Sequence, residues 1–218
     1  MNPYYQHAGI TIYHGDCRHI QSLGLSADAC ITDPPYGMDN DCDYTRFTMG
    51  PNGHGKASSR KYSAVYGDKE TFDPHPWVTM KRAVFFGFQH FCDRLKPGTI
   101  LVWLKRNDDA FGSFMSDADL AWMKGGQGVY CRRDFSLLAE TNLRAHPTQK
   151  PVPLMEWVIL KATEITDTII DPYMGSGSTL IAAKKMGHKA IGIEIEEKYC
   201  EIAAKRLSQE VFDFSEVK

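Results

Sequence analysis

TIIDPYMGSGSTLIAAKKMGHKAIGIEIEEKYCEIAAKRLS, residues 168–208, is the stretch that decides the fold. A short β-branched run, Thr168 to Ile170 with its neighbours, ends at Asp171-Pro172. A Gly/Ser turn, MGSGS, follows. TLIAAKKM then has helical composition and is closed by Gly187, where a helix usually ends. AIGIEI, residues 190–195, reads as a second strand. EEKYCEIAAKRL reads as a second helix, with Tyr199, Ile202, Ala203 and Leu207 on one side. A βαβα order predicts a parallel sheet with crossover helices.

Working outward, the same style recurs near the amino end. Gly9 to Tyr13 is expected to be a strand ending at Gly15-Asp16. A short helix is expected from Arg18 to Leu23, and a strand from Ala29 to Thr32 that runs into Asp33-Pro34-Pro35-Tyr36. Trp77 to Leu95 reads as a helix, broken by Pro97-Gly98. Thr99 to Leu104 reads as a buried strand, and Ser136 to Ala139 as another. Pro151 and Pro153 sit where a helix start tolerates proline. The helix they open, Leu154 to Ile165, places Leu154, Val158, Ala162 and Ile165 on one face. Residues 37–70 and 106–133 show no clear period, and long irregular segments in an α/β domain are usually functional loops.

Composition sets bounds. With 218 residues, 43% hydrophobic and 24% charged, the chain is long enough for one domain with its own core, and its composition is that of a globular protein. No apolar run approaches the roughly 20 residues of a membrane span. The amino terminus shows no basic segment followed by an apolar one, so a cytoplasmic protein is expected. Six cysteines, at 17, 30, 42, 92, 131 and 200, form no CxxC pair. They read as thiols, not as a disulfide frame or a metal site. The net charge of −2 does not advertise nucleic acid. Arg46 to Tyr62, however, holds Arg46, Lys56, Arg60 and Lys61 and no acid, a segment that could meet phosphate or simply be solvated.

Three motifs carry chemistry. In Asp171-Pro172-Tyr173-Met174-Gly175-Ser176-Gly177-Ser178-Thr179, glycines between strand and helix let backbone approach a nucleoside-like ligand. The spacing is not GxGxxG and there is no Walker lysine, so a phosphate cradle is not indicated. The acid at the strand end suits a ligand with positive charge. Glu194, at the end of the next strand, can accept two ribose hydroxyls. In Asp33-Pro34-Pro35-Tyr36, the prolines remove two donors and fix φ. The Asp33 carboxylate, the Pro34 carbonyl and the Tyr36 ring then suit a planar ring bearing an NH₂, such as an adenine or cytosine taken out of its stack. Alone, either motif could be no more than a tight turn. The third, His146-Pro147-Thr148-Gln149-Lys150-Pro151, has no chemistry legible from its spacing.

Together, and in this order, the three motifs resemble the amino-group DNA methyltransferases that use S-adenosylmethionine, specifically their β class. The resemblance covers residues 9–36 and 134–208 well and 37–133 loosely. It implies a Rossmann-like methyltransferase fold of the α/β class, mostly parallel sheet flanked by helices, with a circularly permuted motif order. It implies one catalytic domain over 1–218, with a small target-recognition insertion within 37–133. Asp33, Pro34, Pro35 and Tyr36 would be catalytic. Asp171 with Gly175, Ser176, Gly177, Ser178 and Thr179 would surround the methionine part and ribose of the cofactor, beside Tyr173. Glu194 would hold the ribose hydroxyls, Asp16 the adenine amine, and Thr148 and Lys150 the methionine end. Tyr173 stands where the family usually has Phe, and Ser178 where it more often has Thr. The implied partner is double-stranded DNA; the resemblance leaves room for a homodimer and for a cognate restriction endonuclease acting on the same site, and calls for no metal and no membrane.

DPPY is the commoner form for adenine N6 and SPPY for cytosine N4, so the resemblance favours adenine, with cytosine N4 as the alternative. A cytosine-C5 enzyme needs an activated cysteine, commonly after proline, and no Pro-Cys occurs. A catalytically silent DNA-binding module is disfavoured by the intact Asp33, Tyr36, Asp171 and Glu194. DNA contacts are expected from the middle of the chain: Arg46, Lys56, Arg60, Lys61, Lys105, Arg106, Lys124, Arg132 and Arg133.

Overall fold

The computed structural model describes residues 2–19, 24–39, 66–112, 116–134 and 149–209. Nine described strands form one sheet: β1 (Tyr5–His7), β2 (Ile10–His14), β3 (Ala29–Thr32), β4 (Arg82–Phe86), β5 (Thr99–Leu104), β6 (Ala118–Met123), β7 (Val129–Arg133), β8 (Ile169–Asp171) and β9 (Ala190–Glu194). Their spatial order is β1-β2-β9-β8-β3-β4-β6-β5-β7. From β2 to β4 the pairing is parallel, β6 runs against both neighbours, and β7 is parallel to β5. This is the α/β, mostly parallel architecture expected, in its permuted order. The strand carrying Asp171 comes late in sequence yet lies beside the one leading to Asp33, with Ile170 opposite Cys30.

Period-two alternation divides the core. Ala29, Ile31, Val84, Phe86 and Ile169 face one layer, in which α2 (Val152–Ala162), α3 (Ser178–Lys185) and α4 (Glu197–Ser208) bury Leu154, Val158, Ala182, Ala203 and Leu207. Cys30, Ala83, Phe85 and Ile170 face the other, against Phe72, Phe91 and Trp77 of the short α1 (His75–Val78). Helix α3 lies close over β9. A Cβ on Gly192 would stand 2.4 Å from Met174 Sδ and 2.6 Å from Leu180 Cδ2.

The C-terminal βαβα matches the expectation to within a few residues, as do β2, β3 and β5. The helix expected over Trp77–Leu95 does not exist as such. It divides into α1, strand β4, and two 3₁₀ turns at Phe88–His90 and Cys92–Arg94. The reason is burial: Ala83 to Phe86 are covered on both faces between β3 and β6, and Gly87 at φ 64 turns the chain out of the strand. The irregular reading of 106–133 is likewise corrected, since it holds β6 and β7. The strand expected at Ser136–Ala139 and most of the helix expected at Arg18–Leu23 lie outside the described residues. No described helix is long and apolar enough to cross a membrane.

Candidate active site

Strands β3 and β8 deliver their carboxyl ends side by side. From β3 the chain passes Thr32 into Asp33-Pro34-Pro35-Tyr36, and from β8 it passes Asp171 into the Gly/Ser turn. One hydrogen bond ties the two ends, as the Thr32 hydroxyl donates to Asp171 Oδ1 at 2.8 Å. A cavity of about 1010 Å³ opens over them. Its wall includes Asp33 to Tyr36 on one side and Asp171, Tyr173, Gly175, Ser176, Ser178 and Thr179 on the other. Asp16, Lys150 and Glu194 also line it.

Asp171 is buried and receives three hydrogen bonds, from the Thr32 and Thr179 hydroxyls and the Tyr173 N–H. Burial pushes its carboxyl up to about 6, against those hydrogen bonds. Its two oxygens are thus already engaged by the protein, which gives it a bracing role at the strand end in addition to the ligand-facing one expected. Glu194 braces the turn in the same way, with Oε2 accepting from Gly175 N at 3.0 Å and Oε1 from Glu196 N at 2.8 Å. Burial raises its carboxyl above the usual range. Each carboxylate oxygen can accept more than one donor, so Glu194 keeps capacity towards the cavity. Gly175 and Gly177 adopt positive φ, 50° and 80°. A Cβ on Gly177 would come within 2.8 Å of Ala203 Cβ, so the turn can rest directly on α4. From α4, Arg206 donates to the Ser176 carbonyl at 2.6 Å, and the Ser176 hydroxyl donates to Gln149 Oε1 at 3.1 Å.

Asp33 is held from two sides. The Tyr36 hydroxyl donates to Oδ1, and the Lys150 ammonium sits on Oδ2. Burial alone would lower the Lys150 pKa; the carboxyls of Asp33 and Asp119 outweigh it, and the ammonium is held above its ordinary value. Lys150 also lies 5.1 Å over the Phe86 ring and 3.9 Å from Asp119, which pairs with Lys105 at 2.6 Å. An alternating row of charges, Asp33, Lys150, Asp119 and Lys105, therefore leads away from the DPPY motif. The Tyr36 ring stacks on His90 with centroids 5.1 Å apart. It passes so close to Gly87 that a Cβ there would sit 2.1 Å from Tyr36 Cε1. Burial, then Asp33, raises the Tyr36 phenol well above its usual range. Asp16 is gripped by Arg18, whose guanidinium hydrogen bond holds that carboxyl below the ordinary range.

The charged candidates separate by position. Lys105 and Arg106 follow β5, and Arg132 and Arg133 end β7, at the same end of the sheet as Asp33. Arg106 lies 3.9 Å from Asp117, Arg132 pairs with Asp134 at 3.3 Å and Arg133 with Asp108 at 2.8 Å. Lys124 lies at the opposite end, its N–H on the Ala83 carbonyl and its ammonium on the Met80 carbonyl. Antiparallel β6 carries it there. Arg46, Lys56, Arg60, Lys61 and Thr148 lie outside the described residues.

Residues that the motifs did not single out also shape the site. Thr32 and Gln149 stood inside or beside quoted motifs. Asp68, Gly87, His90 and Arg206 carried no local signal, because they act through contacts across the sequence.

Residues 123–205 match the family model described as DNA methylase. The chain is 50% identical over 111 residues to the Type II methyltransferase M2.LlaDCHI of Lactococcus lactis subsp. cremoris, covering 50% of this chain and 41% of that protein. It is 51% identical over 112 residues to the Type II methyltransferase M2.DpnII of Streptococcus pneumoniae, covering 50% and 42%. The chain thus spans about two fifths of the length of these curated relatives. Among solved structures, the M1.HpyAVI complex with SAM aligns at TM-score 0.57 and 24% identity, over 91% of this chain and 100% of that one. The PvuII DNA methyltransferase, described as cytosine-N4-specific, aligns at TM-score 0.59 and 14% identity, over 97% and 90%. The resemblance to amino-group methyltransferases and the Rossmann-like methyltransferase fold are both borne out.

Proposed function

We propose that the chain transfers a methyl group from S-adenosylmethionine to the exocyclic N6 amine of adenine in a short sequence of double-stranded DNA, by base flipping and direct in-line transfer. The observation that carries this reading is the shared cavity: the DPPY acceptors and the Gly/Ser turn open into one space. The names of the relatives, Type II methyltransferases, support a DNA substrate and a restriction-modification setting. The known complex of a like-folded protein with SAM supports the cofactor.

The donor set fits that cofactor. A cavity of about 1010 Å³ is at the upper end of small-molecule sites, roughly 300–1,000 Å³, and leaves room for a base beside the cofactor. Glu194 would take the ribose hydroxyls, Asp16 the adenine amine, and the backbone of Gly175 to Thr179 the methionine end with Lys150 and Thr148. S-adenosylmethionine, when bound, supplies an electrophilic methyl on a sulfonium. The protein then has to orient a weak nucleophile. The amine's lone pair is delocalised into the ring; accepting its two N–H groups at Asp33 and the Pro34 carbonyl aims the nitrogen and draws it towards sp³. In this reading the amine takes the Asp33 position now held by the Tyr36 hydroxyl. Tyr36 offers its ring to the flipped base, worth about 1–3 kcal/mol of stacking. Lys150 keeps the Asp33 carboxyl fixed. Target choice falls to the insertion within 37–133, through Arg46, Lys56, Arg60 and Lys61 and through Lys105, Arg106, Arg132 and Arg133, the last four following or ending β5 and β7.

Mass spectrometry of nucleosides, after incubating the protein with unmethylated DNA and S-adenosylmethionine, tests this directly. N6-methyladenine made by the wild type and lost in Asp33→Ala supports it. N4-methylcytosine would keep the mechanism and replace the base. No modified base from a protein that binds the cofactor would overturn the DNA reading.

A further inference from the structure

The DPPY motif and the backbone just after it, residues 33–39, belong to no strand or helix. Something else must fix them, because a misplacement of about 1 Å at reacting groups costs on the order of 10²-fold in rate. One buried side chain meets that need. Asp68 Oδ1 accepts the N–H groups of Tyr36 and Gly37 at 3.0 Å and of Met38 at 3.3 Å. The Asp68 carbonyl accepts the Asp39 N–H at 2.8 Å. Three consecutive N–H groups converging on one oxygen form an anion-binding nest, here filled by the protein's own carboxyl. The sequence makes this geometry. Two prolines remove the donors just upstream, and Gly37, at φ 80, turns the chain so that its neighbours point the same way. The fit is tight, since a Cβ on Gly37 would stand 2.8 Å from Glu70 C and Thr71 N, the chain just after Asp68.

We infer that Asp68 is a positioning residue for methyl transfer: it clamps the Tyr36–Met38 backbone and thereby keeps Asp33 and Tyr36 aimed at the cavity. The inference rests on the reading of the site as a methyltransferase centre. It gives Asp68 a role in turnover without contact to the reacting atoms. The side chain lines the cavity, so a direct role in binding is the rival that the test must separate.

The test compares wild type, Asp68→Ala and Asp68→Asn in three readouts. Steady-state kinetics give kcat and the KM for DNA, calorimetry gives S-adenosylmethionine affinity, and amide exchange reports Tyr36, Gly37 and Met38. In the wild type these three amides exchange slowly although they lie in no regular element. Asp68→Ala speeds their exchange and lowers kcat on the order of tenfold or more, with KM and cofactor affinity nearly unchanged. Asp68→Asn keeps an oxygen in place and restores most of kcat. Fast exchange in the wild type, an Ala variant with undiminished kcat, or a loss confined to KM or cofactor affinity would each overturn the inference. Should the Ala variant not fold, the wild-type exchange rates and a failure of the Asn variant to retain activity still decide it. A wild-type chain that methylates nothing removes the transfer role together with the functional reading, and the amide exchange then reports separately whether the clamp exists.

Discussion

Asp171 shows how a single buried carboxyl ties stability to pH in this fold. It ends β8, is buried, and has its carboxyl pushed up to about 6 by desolvation. In an unfolded chain an aspartate titrates near about 3.9. The folded state therefore binds the Asp171 proton more tightly than the unfolded state does. The contribution of this group to stability is fully present below about pH 4 and is lost as pH rises through about 6, a change of about 3 kcal/mol for two units of pKa. Asp171→Asn, which cannot titrate, removes that dependence. Urea unfolding of both proteins from pH 4 to 7 should show the wild type losing ground to the Asn variant as pH rises. A difference that stays flat over this range would refute the assignment. Gly87 is constrained as closely. Its φ is 64, and a Cβ on it would stand 2.1 Å from the Tyr36 ring, so there is no room for a side chain. Gly87→Ala should displace Tyr36 from Asp33 and lower turnover on the order of tenfold or more. Cofactor affinity, measured by calorimetry, should hold. Normal turnover in that variant would show that the ring's position is not required.

The Gly/Ser turn depends on a helix that comes after it in sequence. Arg206 of α4 reaches back to the Ser176 carbonyl and hydroxyl, and Ala203 lies where Gly177 allows close approach. Arg206→Ala should weaken S-adenosylmethionine binding by about 1–3 kcal/mol, the usual cost of leaving a polar group without its charged partner, while DNA affinity measured without cofactor is unchanged. Equal loss of both would mean that α4 supports the whole domain and not the turn. The same element was the most legible part of the sequence. In α4, Tyr199, Ala203 and Leu207 recur at helical spacing, and the βαβα order around it predicts parallel pairing. Strand β4 was hidden because both its faces are buried, so Arg82 to Phe86 lack the alternation that marks a half-exposed strand and blend with the apolar residues around Trp77. Strands β6 and β7 were hidden differently. Their partners are other strands of the same middle region, and no periodicity in ADLAWM or VYCRR states that pairing. Of the site, the residues inside motifs were legible, and those that act across the fold, Asp68, His90 and Arg206, were not.

Strand direction decides which charges share the end of the sheet that carries the cavity. Seven of the described strands run parallel, and the loops that shape the cavity leave their carboxyl ends. The carboxyl ends of β5 and β7 point the same way, which brings Lys105, Arg106, Arg132 and Arg133 to that side. Antiparallel β6 carries Lys124 to the other end, beside Lys81, Arg82 and Lys161 in a separate small cleft. From sequence, Lys105, Arg106, Lys124, Arg132 and Arg133 looked equivalent; the topology divides them. If DNA lies across the carboxyl ends, each phosphate neutralised there contributes about −0.9 to the slope of log affinity against log salt. Arg132→Ala with Arg133→Ala should therefore reduce the magnitude of the slope by about 1–2 and weaken binding, as read by fluorescence anisotropy between about 50 and 200 mM salt. Lys124→Ala should leave both slope and affinity unchanged. A flattened slope in the Lys124 variant, or an unaltered one in the arginine pair, would place the duplex elsewhere on the sheet and would detach the basic end of β7 from recognition.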